Sequence, residues 1–362
     1  MTKSHAHLAT LDGLRGIAAI SVALFHLSYH WPRNIFPHAY LAVDFFFALS
    51  GFVIAKSYEH KLQNTMRFQQ FLRIRVIRLY PLIVCGAVLG CADVILKTHN
   101  GGFGAAMNIA LLEQLLLGLL LVPELIIGAD QIFPLNPPAW SLFYEMVANI
   151  FYAALINHLT NKRLYLIMTI AALSIAYSGY TIGETGRGAA GTEIVSGTSR
   201  VMFSFFAGVL LYRMWQRGVF SQLPRVPGLW LGLALLLLFS VPQFHFDWIY
   251  NLLSIFFLFP LIVLLGLDQA SLSPRFVPAA LWLGRISYPL YVLHFPLLVR
   301  NSYHLFHARH GLPLVAITCV ATLGVVLLSW LGLVLYDEPL RRRLGGRRAA
   351  PAQSFSWTTK VS

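Results

Sequence analysis

The chain has 362 residues, of which 57% are hydrophobic and only 11% are charged. A soluble domain carries about 25% charged residues, so this composition excludes an ordinary water-soluble protein and indicates that lipid covers much of the surface. The net charge of +13 does not indicate a nucleic-acid partner, because the basic residues fall between apolar runs, where membrane topology places them.

Ten stretches are long and apolar enough to cross a bilayer, which takes about 20 residues. They are 11–30, 39–56, 79–97, 140–159, 164–182, 200–216, 229–243, 248–267, 284–300 and 313–335. The predicted fold is therefore an all-α polytopic membrane protein with about ten transmembrane helices. An eleventh stretch, 105–127, is similarly apolar but contains Glu113, Gln114 and Pro123.

The distribution of Lys and Arg decides whether 105–127 crosses the membrane. With the N-terminus inside and 105–127 not crossing, 19 basic residues lie inside and 6 outside, with Arg15 and Arg285 in or near the membrane. If 105–127 crosses, the division becomes 11 and 14. We therefore predict ten spans, both termini inside and a re-entrant segment at 105–127. The membrane domain is predicted to cover 1–340, followed by a basic, disordered tail at 341–362.

The first span contains Arg15 and His26, which are eleven positions apart. Eleven residues turn through about 20° more than three full turns, so both side chains lie on one helix face, roughly 16 Å apart along the axis. Ionisable groups inside a bilayer are usually functional, although a structural pair satisfied by neighbouring helices is the alternative. Asp12 is the expected salt-bridge partner of Arg15.

The second span begins with Asp44, at a depth like that of His26. A carboxylate beside a histidine can fix its tautomer, and a capping or packing role is the alternative. Gly51 further along this span predicts close helix packing.

The loop before the third span contains RFQQFLRIRVIRLYP, from Arg67 to Pro81. Arg75 and Arg78 share a helix face, and arginine forks bind phosphate bidentately. Membrane anchoring is the alternative for both residues.

The segment NPPAWSLFYEM, from Asn136 to Met146, enters the fourth span from outside. Ser141 and Glu145 are four residues apart and share a face, and Ser141 and Trp140 are further candidate site residues. Trp140 is expected at the membrane interface, where tryptophan is enriched regardless of function. We expect Glu145 about one turn inside the outer surface, either as a site residue or as a structural carboxylate.

The ninth span contains SYPLYVLHFP, from Ser287 to Pro296. Ser287, Tyr291 and His294 fall on one face, and Pro289 is expected to kink the helix. Tyr288 and His294 are candidate site residues here, although a structural polar cluster is the alternative. At the end of the last span, LYDEPLRRR places Glu338 at the inner surface.

Taken together, these segments resemble the acyltransferase-3 family of membrane O-acyltransferases. The resemblance lies in LDGLRGIAAISVALFHL, VDFFFALSGFVI, RVIRLYP, WSLFYE, ISYPLYVLHFP and YDEP, which occur in family order over roughly residues 11–340. It implies transfer of an acyl group, commonly acetyl, from acyl-CoA to a hydroxyl of a cell-surface glycan or a small molecule. It also implies location in a bacterial inner membrane, with both termini cytoplasmic.

The resemblance and the depths of these residues give a division of roles. Arg75 and Arg78 would hold the CoA phosphates at the cytoplasmic face, and Arg15 would lie along the donor path. His26 would be the general base that an alcohol needs in order to attack a thioester, with Asp44 or Glu145 orienting it. We expect no metal ion and no tightly bound cofactor, because Cys85, Cys91 and Cys319 lack metal-ligand spacing.

Two other functions remain open on the sequence alone. Intramembrane His, Arg and Glu also form the proton relays of proton-coupled transporters, although we see no internal repeat of the kind that transporters show. The second alternative is a non-catalytic flippase or scaffold.

Overall fold

The structure, a computed structural model, describes residues 8–28, 31, 34–98, 105–124, 130–183, 185–186, 188–268, 271–299 and 311–345. Within these ranges the chain is helical and has no β-strand. Nine of the described helices are long and apolar enough to cross a membrane. The prediction of an all-α polytopic membrane protein is therefore confirmed.

We number the α-helices in chain order. They are α1 (Ala9–Leu27), α2 (Ala42–Asn64), α3 (Phe68–Thr98), α4 (Ala105–Leu120), α5 (Ala139–Leu155), α6 (Asn161–Ile182), α7 (Ile194–Gln216), α8 (Gly228–Ser240), α9 (Asp247–Leu253), α10 (Phe259–Leu265), α11 (Val277–His294), α12 (Gly311–Leu331) and α13 (Glu338–Gly345). We call the membrane face at which α1 begins the inner face, and the opposite one the outer face.

Each of the ten predicted spans corresponds to helical structure, although one is shorter than predicted. The stretch 229–243 forms α8, which has 13 residues and is therefore roughly 20 Å long. The hydrocarbon core of a bilayer is about 30 Å thick, so α8 is shorter than the core, but its segment still crosses, because Gly228 lies beside Thr10 at the start of α1 and the Phe239 carbonyl accepts from the N–H of His38 before α2. Helices α9 and α10 are joined by a π-helical segment into one continuous span, Asp247–Leu265.

Three π-helical segments interrupt the described helices, and each contains or lies beside a proline. They are Ser254–Leu258 before Pro260, Phe295–Val299 around Pro296, and Gly332–Asp337 before Pro339. Proline has no backbone N–H, and its ring collides with the carbonyl four residues earlier. A wider π turn relieves that collision. Helix α11 continues through Pro289 without a change of helix type and changes only at Phe295.

Helices α2 and α7 form the centre of the bundle, where they are the most buried of the long helices. Two ion pairs join them, Asp44 with Arg200 and Glu59 with Arg213. Since residue numbers increase together along both helices, α2 and α7 run in the same direction. Between the ion pairs the backbones touch, because a Cβ added at Gly51 would lie 1.9 Å from the Phe205 carbonyl oxygen. The predicted close packing at Gly51 is confirmed.

The parallel direction of α2 and α7 bears on the segment 105–127. Two parallel helices must be separated by an odd number of crossings, and α3, α5 and α6 supply three. If α4 also crossed, α7 would run against α2, which is opposite to what the ion pairs show. The structure therefore agrees with the prediction that 105–127 does not cross the membrane.

Local contacts show where this segment lies. Helix α4 packs along the outer part of α3, with Gly118 facing Ala87, and is followed by a turn at Leu121, which has a φ of 53°. After the turn, Leu135 and Asn136 touch α3 at Gly90 and Gly86. Gly86 is eleven residues beyond Arg75, or about 16 Å deeper into the bundle. The segment thus enters from the outer face, and α5 begins inside the membrane.

The C-terminal end of the last span extends beyond the boundary expected from the sequence. Helix α13 continues to Gly345, past the predicted end of the membrane domain at 340. The remainder of the predicted tail, residues 346–362, lies outside the described residues.

The ten-span topology makes a testable prediction. In a variant lacking Cys85, Cys91 and Cys319, we expect Asp130→Cys to react with a membrane-impermeant thiol reagent on intact cells and Lys162→Cys to remain unlabelled. If 105–127 crosses, every later loop changes sides, and Lys162→Cys would be labelled while Asp130→Cys was protected. Labelling after cell lysis provides the control for reactivity.

Candidate active site

Helices α1 and α11 lie side by side and run in the same direction. Near the inner face, a Cβ added at Gly16 would lie 2.5 Å from the Cβ of Leu283, so the two helices touch there. Further out, His26 of α1 contacts His294 of α11. This parallel pair of helices carries candidate residues at two depths, near the inner face and in the outer half.

The two histidines form a hydrogen-bonded pair. His26 Nδ1 and His294 Nε2 are 3.0 Å apart, and the ring centroids are separated by 5.1 Å. His294 is buried, whereas His26 is partly exposed. Both residues were candidates from the sequence, but their pairing was not predicted, because 268 positions separate them in the chain.

The surroundings of His294 fix the proton positions of both rings. His294 Nδ1 lies 2.8 Å from the Tyr291 carbonyl oxygen and 3.1 Å from that of Leu290. Carbonyl oxygens only accept hydrogen bonds, so Nδ1 of His294 carries a proton. In a neutral ring Nε2 is then an acceptor, and His26 Nδ1 must donate to it. This leaves the Nε2 lone pair of His26 as the basic site of the pair.

A proline and an asparagine hold this turn of α11 in place. Pro296 has no N–H, so the Val292 carbonyl lacks its usual donor four residues later. The side-chain amide of Asn136 donates to that carbonyl at 3.1 Å. A Cβ on Gly86 would lie 2.4 Å from the Asn136 amide nitrogen, so a side chain there would displace it. The re-entrant segment is thereby attached to α11 two residues before His294.

A pair of hydroxyl groups lies one turn before His294. Ser141 Oγ and Tyr291 Oη are 2.7 Å apart, and both are within hydrogen-bonding distance of the Pro138 carbonyl oxygen. The residues are buried. This contact joins the start of α5 to α11, so Ser141 helps to position the helix that carries His294.

Asp44 is committed to an ion pair rather than to His26. The guanidinium of Arg200 donates to both carboxylate oxygens, with Nη2 at 2.5 Å from Oδ2 and Nε at 3.2 Å from each oxygen. Both side chains are completely buried. The expectation that Asp44 orients His26 is therefore wrong in this structure, because a buried carboxylate is stabilised most by a bidentate guanidinium.

Arg200 is a residue whose role the sequence analysis missed. Its guanidinium also donates to the Gly186 carbonyl at 2.9 Å. Trp140 lies beside it, with the ring centroid 5.3 Å from the guanidinium carbon, which is a cation–π distance. Trp140 therefore contacts the central ion pair, beyond the interfacial role that the sequence suggested.

Glu145 also has an arginine partner and lies deeper than expected. Its Oε1 accepts from Arg75 Nη2 at 2.9 Å and from Ser50 Oγ at 2.6 Å. The sequence placed Glu145 one turn inside the outer surface, but α5 begins within the membrane after the re-entrant segment. Its first two turns therefore carry Glu145 towards the inner face, away from His26, and the expectation that it orients His26 is not met.

Arg15 contacts α11 at the inner face. Its Nε donates to Ser287 Oγ at 3.0 Å, and Nη2 donates to the Gly284 carbonyl at 3.1 Å. Nη2 also lies 2.6 Å from Asp12 Oδ1, which confirms the predicted salt bridge between Asp12 and Arg15. Arg15 is thus held at the junction of α1 with α11.

Two other candidates lie at the same level. Arg78 is exposed and has no acidic partner within 4 Å among the described residues. The hydroxyl of Tyr288 donates to the Leu79 carbonyl at 2.5 Å, which places this turn of α11 beside Arg78. Arg15, Arg75, Arg78 and Tyr288 therefore gather at the inner face.

The candidate residues thus form two groups, an arginine group near the inner face and an imidazole pair in the outer half. The distance from Arg15 to His26 along α1 is about 16 Å. Such an arrangement can hold an anionic group at one depth and accept a proton at another. Within the described residues, no cluster of His, Cys, Asp and Glu side chains has the geometry of a metal site.

A family model described as an acyltransferase domain matches residues 8–334. A protein from Rhizobium radiobacter, named protein 2 in the picA locus, is 37% identical over 176 residues, which make up 45% of this chain and 90% of that protein. No solved structure matches the chain.

Two longer relatives come from Staphylococcus aureus. One, from strain COL, is provisionally named an O-acetyltransferase and is 26% identical over 81% of this chain and 51% of its own length. The other is the O-acetyltransferase OatA, 24% identical over 94% of this chain and 58% of its own length. The chain therefore spans about half the length of these two proteins.

The burial of Asp44 and Arg200 predicts a structural role. Asp44→Asn would leave the guanidinium without its counter-ion, at a cost of about 3–5 kcal/mol, and should lower the thermal transition of the purified protein strongly. Arg225→Gln, which removes a largely exposed arginine, should change it little. Fluorescence-monitored unfolding in detergent gives both values. An Asp44→Asn protein as stable as the Arg225→Gln protein would contradict a structural role.

Proposed function

The chain belongs to the acyltransferase family whose domain model matches residues 8–334, and on that premise we propose that it transfers an acyl group from acyl-CoA to a hydroxyl. The acyl group proposed is acetyl. The observation that carries this proposal is the arrangement along α1 and α11. At the inner face a guanidinium lies between these helices, and about 16 Å further out an imidazole pair lies between the same helices.

The arginine group suits the donor. The nucleotide end of acyl-CoA carries several phosphate groups, and arginine forks bind phosphate bidentately. Arg75, Arg78 and Arg15 lie near the face where α1 begins, which the charge distribution of the sequence assigns to the cytoplasm. The long pantetheine arm of CoA would then extend along α1 and α11 and bring the thioester towards His26.

His26 suits the chemical step. Its Nε2 takes the proton of the acceptor hydroxyl as the oxygen attacks the thioester carbonyl carbon. The tetrahedral intermediate collapses, the carbon–sulfur bond breaks, and the proton on His26 passes to the departing CoA thiolate. The products are an ester and free CoA, so the base is regenerated without any other proton donor.

His294 acts through His26. The Nδ1 proton of His294 is held by two carbonyl groups, so its Nε2 stays an acceptor and keeps the proton of His26 on Nδ1. When Nε2 of His26 gains a proton, the bond from Nδ1 to His294 becomes charge-assisted and stronger. His294 is therefore a positioning residue that fixes the tautomer and stabilises the imidazolium.

The acceptor and the location complete the proposal. We place the protein in a bacterial inner membrane with both termini in the cytoplasm, on the basis of the positive-inside charge distribution. His26 lies in the outer half, where a hydroxyl of a cell-surface carbohydrate can approach from outside. The relatives from Staphylococcus aureus are named for O-acetyl transfer, which favours an oxygen acceptor.

A transfer assay tests the proposed function. Purified protein in proteoliposomes should move a labelled acetyl group from acetyl-CoA to a hydroxyl-bearing acceptor. The acceptor is identified beforehand by mass spectrometry of surface glycans from a strain lacking the gene and from its parent. The proposal would be refuted if both strains carry the same acetyl esters and the purified protein transfers no acetyl group to those glycans. The protein would then not be an O-acetyltransferase of surface carbohydrate.

The histidine pair makes a graded prediction. His26→Gln keeps much of the side-chain size but cannot accept a proton at neutral pH, so kcat should fall by on the order of 10²–10⁴. His294→Leu removes the acceptor for His26 Nδ1 and should cost less, because the imidazole of His26 remains. His294→Gln, which can still accept a hydrogen bond, should be more active than His294→Leu.

As a control, the amount of folded protein is compared between each variant and the wild type by size-exclusion chromatography in detergent. A well-folded His26→Gln enzyme with near-normal kcat would rule out proton abstraction by His26. Equal activity of His294→Gln and His294→Leu would rule out a hydrogen-bonding role for His294. The pH profile separates this role from a purely structural one, because loss of the acceptor should displace the pH dependence of kcat.

A further inference from the structure

One turn of α11, residues 284–288, contacts three other helices at the inner face. Arg15 of α1 donates to this turn through the Gly284 carbonyl and Ser287. Tyr288 donates to the Leu79 carbonyl of α3, and Arg285 donates to Glu338 of α13 at 2.7 Å. The C-terminal segment YDEPLRRR is therefore packed against the same turn as the proposed donor arginines.

Arg341 of this segment is directed into the protein rather than into solvent. Its Nη2 lies 2.5 Å from Oδ2 of Asp337, a carboxylate whose side chain is fully buried. The Arg341 side chain is 22% exposed, whereas that of its neighbour Arg342 is 72% exposed. Two consecutive arginines on one helix thus have different surroundings.

The guanidinium of Arg341 has hydrogen-bonding capacity left over. A guanidinium has five N–H donors, and the ion pair with Asp337 is formed through Nη2. The Nε of Arg341 is buried and has no acceptor within the ranges that the structure describes, and the same holds for the Nε of Arg75. Donors of this kind are costly to bury unless an acceptor binds to them.

Positive charge is also concentrated here. Arg78 lies close enough to Arg15, Arg75 and Arg341 for its positive charge to repel each of their guanidinium groups. In the described part of the chain, Asp12, Glu145 and Asp337 are partners for the other three arginines, whereas Arg78 has no acidic partner within 4 Å. An anion bound between Arg78 and Arg341 would reduce the mutual repulsion of these like charges.

We propose that Arg341 binds a phosphate group of acyl-CoA together with Arg78, so that the C-terminal segment forms one wall of the donor site. This inference rests on the proposed function and extends it to a segment that no step of the acyl transfer uses. Asp337 holds Arg341 in position before the donor binds, and the N–H groups of the guanidinium that Asp337 does not engage remain for the phosphate.

The inference is tested by kinetics with a matched pair of variants. Arg341→Gln should raise the KM for acetyl-CoA about 10-fold or more, because a hydrogen bond to a charged group contributes about 1.5–3 kcal/mol. The kcat should stay within about 2-fold, since a remote phosphate contact contributes mostly uniform binding. Arg342→Gln removes the same charge one residue away and should leave KM unchanged.

A second pair of variants controls for misfolding. This control is needed because Arg341→Gln leaves the buried carboxylate of Asp337 without its partner. The double variant Asp337→Asn with Arg341→Gln has no such charge, and its KM is compared with that of Asp337→Asn alone. The ratio should again be about 10-fold or more.

A donor lacking the 3′-phosphate identifies which phosphate is bound. If the KM effect of Arg341→Gln disappears with 3′-dephospho-acetyl-CoA, Arg341 binds the 3′-phosphate, and if it persists, Arg341 binds the pyrophosphate. An unchanged KM in Arg341→Gln, or an equal rise in Arg342→Gln, would overturn the inference. Because the wild-type enzyme is assayed alongside, failure of the proposed function would show separately, as absence of transfer by the wild type.

Discussion

The hydrogen bond between His26 and His294 is the interaction on which the rest of the site depends. It requires α1 and α11 to run in parallel and in contact, which the glycine contacts near the inner face permit. It also requires a fixed position for the turn around His294. Pro296 leaves the Val292 carbonyl free, and the side-chain amide of Asn136 donates to it. In a bilayer, every polar group must find a partner within the protein. A proline that frees a carbonyl therefore also creates an attachment point, which the re-entrant segment uses.

The carboxylates of the membrane domain serve a different purpose. Asp44, Glu59 and Glu145 each pair with an arginine from another helix. A buried unpaired charge is strongly destabilising, so these pairs fix which helices lie next to each other. The result is a division between ion pairs, which hold the bundle together, and a pair of imidazoles that hydrogen-bond to each other. The hydrogen-bond partner of His26 is thus a histidine rather than a carboxylate.

Much of the fold could be predicted from the sequence because the signals were local. Hydrophobic length located the spans, the charge distribution indicated that 105–127 does not cross, and the spacing of Arg15 and His26 placed both on one face of α1. The partners could not be predicted in this way. The contact of His26 with His294 and that of Asp44 with Arg200 join positions far apart in the chain. Glu145 was placed at the wrong depth because α5 begins inside the membrane, which depends on how the re-entrant segment packs on α3.

The protonation state of the two histidines tests the central claim most directly. Nitrogen-15 NMR of the protein labelled at histidine, with His26→Gln and His294→Gln samples to assign the signals, reports which ring nitrogen carries the proton. At neutral pH we expect both rings to be neutral, with the proton of each on Nδ1 and the Nε2 of His26 unprotonated. The account would be contradicted by a neutral His26 with its proton on Nε2, or by a His26 that is already charged at neutral pH. In either state Nε2 could not take the proton from the substrate hydroxyl.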